Sequence, residues 1–127
     1  PFKEELIIES NLRLNDGRDA MEQLLKLKEK PDAIYAAGDF AALGALQVLK
    51  EKNILVPQEV TLVGFGNEPF TSLVTPSISS VEQHSKEIGR LAAERFLYRI
   101  KNPKEKVTLT KNILNADLIV RDSSRKI

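Results

Sequence analysis

The stretch "PDAIYAAGDFAALGALQVLKEKNILVPQEVTLVGFGNEPF", Pro31 to Phe70, reads as strand, helix and strand in that order. Ala33 to Ala37 is a short apolar run carrying Ile34 and Tyr35, a composition suited to a strand. Asp39 stands where a helix N-cap is expected, its carboxylate able to accept orphan backbone N–H groups. The helix predicted after it runs to about Lys52, where Asn53 suits a left-handed terminator. Val56-Pro57 gives an extended approach to a further strand, Val60 to Val63. That run breaks at Gly64-Phe65-Gly66 and turns polar at Asn67-Glu68-Pro69. A helix between two such strands makes a βαβ unit and a parallel pair. Open α/β sheets bind ligands outside the carboxyl ends of their strands. The segment Gly64 to Glu68 is therefore predicted to face a ligand cleft, with Asn67 and Glu68 as its nearest polar side chains. Gly66 offers backbone only.

Working outward, Leu6-Ile7-Ile8 reads as a first strand, followed by a polar loop ending at Asn15-Asp16-Gly17. Arg18 to Lys30 places Ala20, Met21, Leu24 and Leu25 at helical spacing, and Pro31 stops it. Downstream, Ile78 to Val81 is a strand and Ser85 to Lys101 a helix, apolar at Ile88, Leu91, Ala92, Phe96 and Ile100. Val107–Leu109 and Ile113 to Val120 read as strands, and the tail "RDSSRKI" as polar and frayed. The fold class predicted is α/β with a doubly wound parallel sheet.

With 127 residues, 42% hydrophobic and 29% charged, the chain has an ordinary globular composition and enough length for a core. It starts at Pro1 without an initiator Met, which suggests a piece of a longer protein. Nineteen basic against eighteen acidic residues leave no electrostatic footprint for nucleic acid or membrane. No apolar stretch reaches the roughly 20 residues that span a bilayer. With no Cys, thiol nucleophiles, thiolate metal sites and disulfides are excluded, in keeping with a reducing cytoplasm.

No dinucleotide fingerprint is present, because no Gly-x-Gly-x-x-Gly opens a helix and Pro69 follows "GFG" too closely. A Gly-Lys-Ser/Thr phosphate loop is absent as well. The one His, His84, cannot build a zinc site without more ligands, and a polar or capping role is expected for it. Asp16, Asp32 and Asp39 each precede or start an element, as turn and cap chemistry requires. Pairing of His84 with Ser77, Ser79 or Ser80 lacks a nucleophile elbow to support it. Neither a catalytic centre nor a cofactor or metal site is expected.

The helix after Asp39 is apolar on two sides. Ala42, Ala45, Leu46 and Leu49 form one face, widened by Ala41 and Val48. Phe40 and Leu43 lie roughly 100–160° away from Ala42, with Gly44 a flat spot between. Such a helix is either buried within one domain or shared with a partner chain, and a lobe of this size favours the partner.

Taken in order, these motifs resemble the effector-binding domain of the LacI/GalR family of bacterial transcription regulators. The Pro-Asp-Ala strand, the Asp-x-x-Ala-x-Gly helix, Ile54-Leu55-Val56-Pro57, and Val63-Gly64-Phe65 carry the likeness. So do the strand Ile78-Ser79-Ser80-Val81, Gly89 to Ala93, and Leu118 to Ser124. The resemblance implies one lobe of a two-lobed, periplasmic-binding-protein-like type I domain whose lobes are joined by three crossovers around a small-molecule effector, a sugar or related metabolite. Residues 1–83 would be the second lobe, 84–112 a segment crossing to the first lobe at a Gln83-His84 hinge, and 113–127 the return strand and tail. Carried over, effector contacts fall on Leu12, Gly38, Asp39, Gly66 and Ser85. The sequence departs from the family pattern at Leu12, where many members hold an aromatic residue, at Gly38, often Asn, and at Gly66, which replaces a hydroxyl-gripping carboxylate. Homodimer contacts fall on Leu43, Leu46, Gln47, Phe70, Leu73 and Val74, beside the Phe40 already singled out. The resemblance further implies a cytoplasmic protein that reads operator DNA through an N-terminal helix-turn-helix outside this chain. A periplasmic sugar-binding protein of a transporter shares the fold and is the alternative.

Overall fold

The computed structural model describes residues 3–106 and 111–124. After a 3-10 turn at Glu4–Leu6 come two helices and two strands in alternation: α1 (Leu14–Leu24), β1 (Ala33–Tyr35), α2 (Asp39–Glu51) and β2 (Thr61–Phe65). A short 3-10 helix, Pro69–Ser72, leads to β3 (Ser79–Glu82), α3 (Ser85–Lys101) and β4 (Asp117–Ile119). The sheet order is β1-β2-β3-β4, with β1, β2 and β3 parallel and β4 antiparallel to β3. Ala33 faces Thr61, Val63 faces Ser79, and Glu82 faces Asp117 across the ladders.

The core lies between the helices and the face of β2 that carries Leu62. Met21 and Leu24 of α1 meet Ala42, Ala45, Leu46, Val48 and Leu49 of α2, with Val60, Leu62 and Ile78 beneath. The inward face read for α2 is the one buried. It ends as its Asn53 suggested: that residue is left-handed (φ 57°), Asn53 N–H reaches Lys50 O and Ile54 N–H reaches Leu49 O, a Schellman motif.

Several expectations are corrected. Helix α1 begins at Leu14, inside the segment read as a loop, and unwinds after Leu24 rather than at Lys30. Asp16 caps it by accepting from Arg13 N–H at 2.9 Å. Position 17 is helical, and glycine is required there because a Cβ would stand 2.1 Å from Ala41 O of α2; the glycine marks a close helix crossing, not a turn. Gly44 plays the same part, since its Cβ would lie 2.0 Å from Leu14 O. It therefore faces α1 and not an outer partner. Leu6-Ile7-Ile8 forms no strand: a 3-10 turn occupies Glu4–Leu6, and Ile7 is extended without a ladder to β1. β4 is shorter than Ile113 to Val120, because its partner β3 ends at Glu82 opposite Asp117 and leaves earlier residues no neighbour. The strand read at Val107–Leu109 lies outside the described residues.

The tail is not frayed through Ser124. Ser123 is fully buried and wedges between the starts of β2 and β3. Its carbonyl accepts from Leu62 N–H at 2.9 Å, and its hydroxyl accepts from Ser79 N–H at 2.8 Å and donates to Leu62 O at 2.5 Å.

Helix α3 behaves differently from the rest, for none of its residues is buried. Phe96 is 65% exposed, and Ile88, Leu97 and Ile100 are open as well. No described helix is long and apolar enough to cross a membrane.

Candidate functional site

The carboxyl end of β2 is built around one buried carboxylate. Asp39 is 2% exposed; its Oδ1 accepts from Ser80 Oγ at 2.7 Å, and its Oδ2 from Glu68 N–H at 2.7 Å. Gly38, not Asp39, is the N-cap of α2, and no side chain caps it. The expected capping role is thus replaced by a pin between α2, Ser80 of β3 and the turn after β2. Gly64 makes room for it, since a Cβ there would sit 2.2 Å from Asp39 Oδ1. Gly66 has φ +122°, a conformation that side chains rarely adopt, and lies over Asp39 Oδ2.

Above this pin is an open depression of about 530 Å³, lined by Gly66 to Pro69, Glu82 and His84 to Glu87. It collects four of the predicted contact residues: Gly66, Asn67, Glu68 and Ser85. Leu12 and Gly38 adjoin one another, the Leu12 Cβ lying 3.3 Å from where a Gly38 Cβ would be. Asp39 lies behind the turn with both oxygens bonded, so it holds the wall and does not present a free carboxylate.

Three polar residues at this site carry more than the sequence suggested. Asn67 donates from Nδ2 to Glu82 Oε2 at 3.0 Å and accepts at Oδ1 from Arg121 Nη2 at 2.7 Å. Glu82 Oε1 accepts from His84 N–H at 2.7 Å. The amide of Asn67 first, and the His84 N–H second, hold the Glu82 carboxyl below its ordinary range. Arg121 sits in the run Leu118 to Ser124, so its place in that motif was the available sign; its partner is 54 residues away.

The serines are engaged elsewhere than with His84. Ser80 donates to Asp39, Ser77 to Asp122 at 2.7 Å, and Ser79 Oγ lies 2.7 Å from Ser124 Oγ. The His84 ring instead lies 2.9 Å from Asp117 Oδ2, and its side chain does not cap α3.

A second surface carries the residues expected at a dimer contact. Phe40 and Phe70 meet with ring centroids 4.9 Å apart at 48°, Phe40 is 51% exposed, and Leu73 is 80% exposed. Leu43 and Val74 are half-buried against the core. Gln47 accepts from Arg18 Nη1 at 3.1 Å, beside the Arg18–Glu51 ion pair that joins α1 to α2. Leu46 leaves this set: it is 2% exposed and belongs to the core cluster that α1, α2 and β2 build.

Residues 3–124 match the family described as periplasmic binding protein-like domain. The chain is 36% identical to the HTH-type transcriptional regulator RegA of Clostridium acetobutylicum over 98% of its own length and 36% of the relative's. It superposes on the transcriptional regulator CelR in complex with cellobiose with a TM-score of 0.90 at 29% identity, covering 98% of this chain and 37% of that one. On the transcription regulator CcpA of Lactococcus lactis the TM-score is 0.85 at 26% identity, over 98% and 45% of the two chains. This chain thus spans between a third and a half of each of these relatives. The chain belongs to the periplasmic binding protein-like domain family, and the solved structures it resembles include transcriptional regulators of the LacI type.

Proposed function

We propose that this chain is the second lobe of the effector-binding domain of a DNA-binding, non-catalytic LacI-type regulator, where it senses a small molecule and contributes to a homodimer. One observation carries the reading. The depression at the ends of β2 and β3 opens beside the start of α3, a helix that leaves the lobe with no residue buried. A half-cleft next to an uncovered, partly apolar helix is what one lobe looks like when its neighbour is not present. Residues 84–112 are then the crossing segment and 113–124 the return. The effector contacts proposed are Leu12, Gly38, Gly66, Asn67, Glu68 and Ser85, with Asp39 holding them in place. CelR's complex with cellobiose supports a sugar or a related metabolite as the ligand class. Operator DNA would be read by a helix-turn-helix elsewhere in the protein, which makes the cytoplasm its place of action. No cofactor is required: effector in the cleft favours one lobe arrangement, and the dimer passes that shift to the DNA-binding ends.

The test is a mobility shift of the full-length protein on DNA upstream of its own gene, with a panel of monosaccharides and disaccharides that includes cellobiose. DNA binding that at least one sugar changes by roughly tenfold, about 1.4 kcal/mol of coupling, is the expected result. Tight sugar binding by a protein with no affinity for that DNA would move the assignment to a transporter's binding protein.

A further inference from the structure

The turn after β2 reaches the crossing into α3 through two side chains in series, Asn67 and Glu82. Asn67 in that turn and His84 at the start of α3 are both left-handed, with φ of 52° and 57°. Left-handed non-glycine backbone persists only where surrounding contacts fix it. Here the fixing contacts of the two residues are shared. Asn67 N–H donates to Ser80 Oγ at 3.0 Å, while its side chain lies between Glu82 and Arg121. Glu82 uses one oxygen for Asn67 Nδ2 and the other for His84 N–H, at 3.0 and 2.7 Å. Arg121, two residues past the end of β4, is itself anchored, donating to Ile78 O at 2.8 Å and Thr71 Oγ1 at 3.2 Å.

The orientation of the Asn67 amide is dictated by this pair of neighbours. A guanidinium only donates and a carboxylate only accepts, so Oδ1 must face Arg121 and Nδ2 must face Glu82. Turning the amide over would set donor against donor and acceptor against acceptor. We propose that Asn67 and Glu82 are positioning residues that couple the ligand-facing turn to the hinge at His84, with Arg121 fixing the amide in the orientation this requires. Displacing Asn67 draws on Glu82, and Glu82 holds the N–H of the residue where the chain departs for α3. Its regulatory meaning rests on the effector-cleft reading above; the contacts themselves do not.

Hydrogen exchange followed by mass spectrometry on the ligand-free full-length protein tests the coupling without an effector or DNA. Two variants isolate the bridge. Asn67→Gly accepts the left-handed backbone and deletes the side chain. Asn67→Asp keeps an acceptor for Arg121 but sets a second carboxylate against Glu82. In both, the amides of residues 83–88 are expected to exchange roughly threefold faster or more, with those of α2 at the wild-type rate. Should either variant fail to fold, Glu82→Gln gives the same readout, because one carbonyl oxygen cannot serve Asn67 and His84 in the positions the carboxylate does. Unchanged exchange at 83–88 with a faster turn at 66–68 overturns the proposal, since the turn would then be held only locally. Equal acceleration of α2 also overturns it, as that marks general loosening. Neither result depends on whether the protein answers to a sugar, so failure of the coupling and failure of the regulator reading are separable.

Discussion

Gly64 and Gly89 differ in what a methyl group would meet. At Gly64 a Cβ would collide with Asp39 Oδ1, whereas at Gly89 nothing lies within 4 Å. Gly64→Ala has to push Asp39 away from Ser80 and Glu68, and overpacking of this kind costs about 1–3 kcal/mol. Gly89→Ala, in the exposed second turn of α3, should be neutral or stabilise by about 0.5–1 kcal/mol. Urea denaturation of both variants decides: equal effects would mean that Asp39 yields freely and pins nothing. Glu82 supplies a pH test. Its folded-state pKa is depressed, by Asn67 first and His84 N–H second. The stabilisation it brings is present above the unfolded-state pKa and is lost as pH falls through the folded value. Protection of residues 83–88, corrected for intrinsic exchange, should therefore hold from neutral into mildly acidic solution and fall in more acidic solution. Glu82→Gln should abolish that step. At this scale the sequence marks Asp39, Gly66 and Asn67 by their place at element ends. It could not show what they bind, because Ser80 is 41 residues from Asp39 and local pattern is silent about such pairs.

Among the elements, α2 was legible because apolar periodicity and a clear stop at Asn53 act together, and α3 from its apolar periodicity alone. α1 was displaced because Asn15-Asp16-Gly17 has turn chemistry when read locally, while the close approach of Ala41 O decides for glycine inside a helix. The tail was misread for a related reason. "RDSS" is polar, and burial of its Ser123 becomes favourable only when Leu62 of β2 and Ser79 of β3 are in place to receive it. Ser123→Ala tests this. The change leaves Ser79 N–H without its acceptor in a fully buried position, a loss expected to cost about 1–3 kcal/mol. Asp122→Ala, which removes only an exposed contact to Ser77, should cost less than about 0.5 kcal/mol. Thermal or urea melts compare the two; an Ser123→Ala variant as stable as wild type would return the tail to the status of a loose end.

The whole lobe presents two apolar faces that do not coincide, and they call for different partners. On α3, Ile88, Phe96 and Ile100 form the side expected to meet the first lobe of the same chain. Around α2 and the Pro69–Ser72 turn, the tilted Phe40–Phe70 pair and the projecting Leu73 form the side expected to meet a second copy. Leu43→Asp is a poor probe of that second face, since Leu43 also packs on the core and its loss would weaken folding. Leu73, 80% exposed, is a cleaner one. Fully burying a Leu is worth about 1.5–3 kcal/mol. A two-fold interface counts every substitution twice, so Leu73→Asp should weaken the dimer by about 3–6 kcal/mol, a hundredfold or more in Kd. Sedimentation equilibrium of the full-length protein across a range of concentrations should show the variant as monomer where the wild type is dimer, with unchanged circular dichroism. Phe40→Asp, half-exposed on the same patch, should act in the same direction. If both variants remain dimeric at the lowest concentrations, the copies meet elsewhere, and the apolar stripe of α3 becomes the surface to alter next.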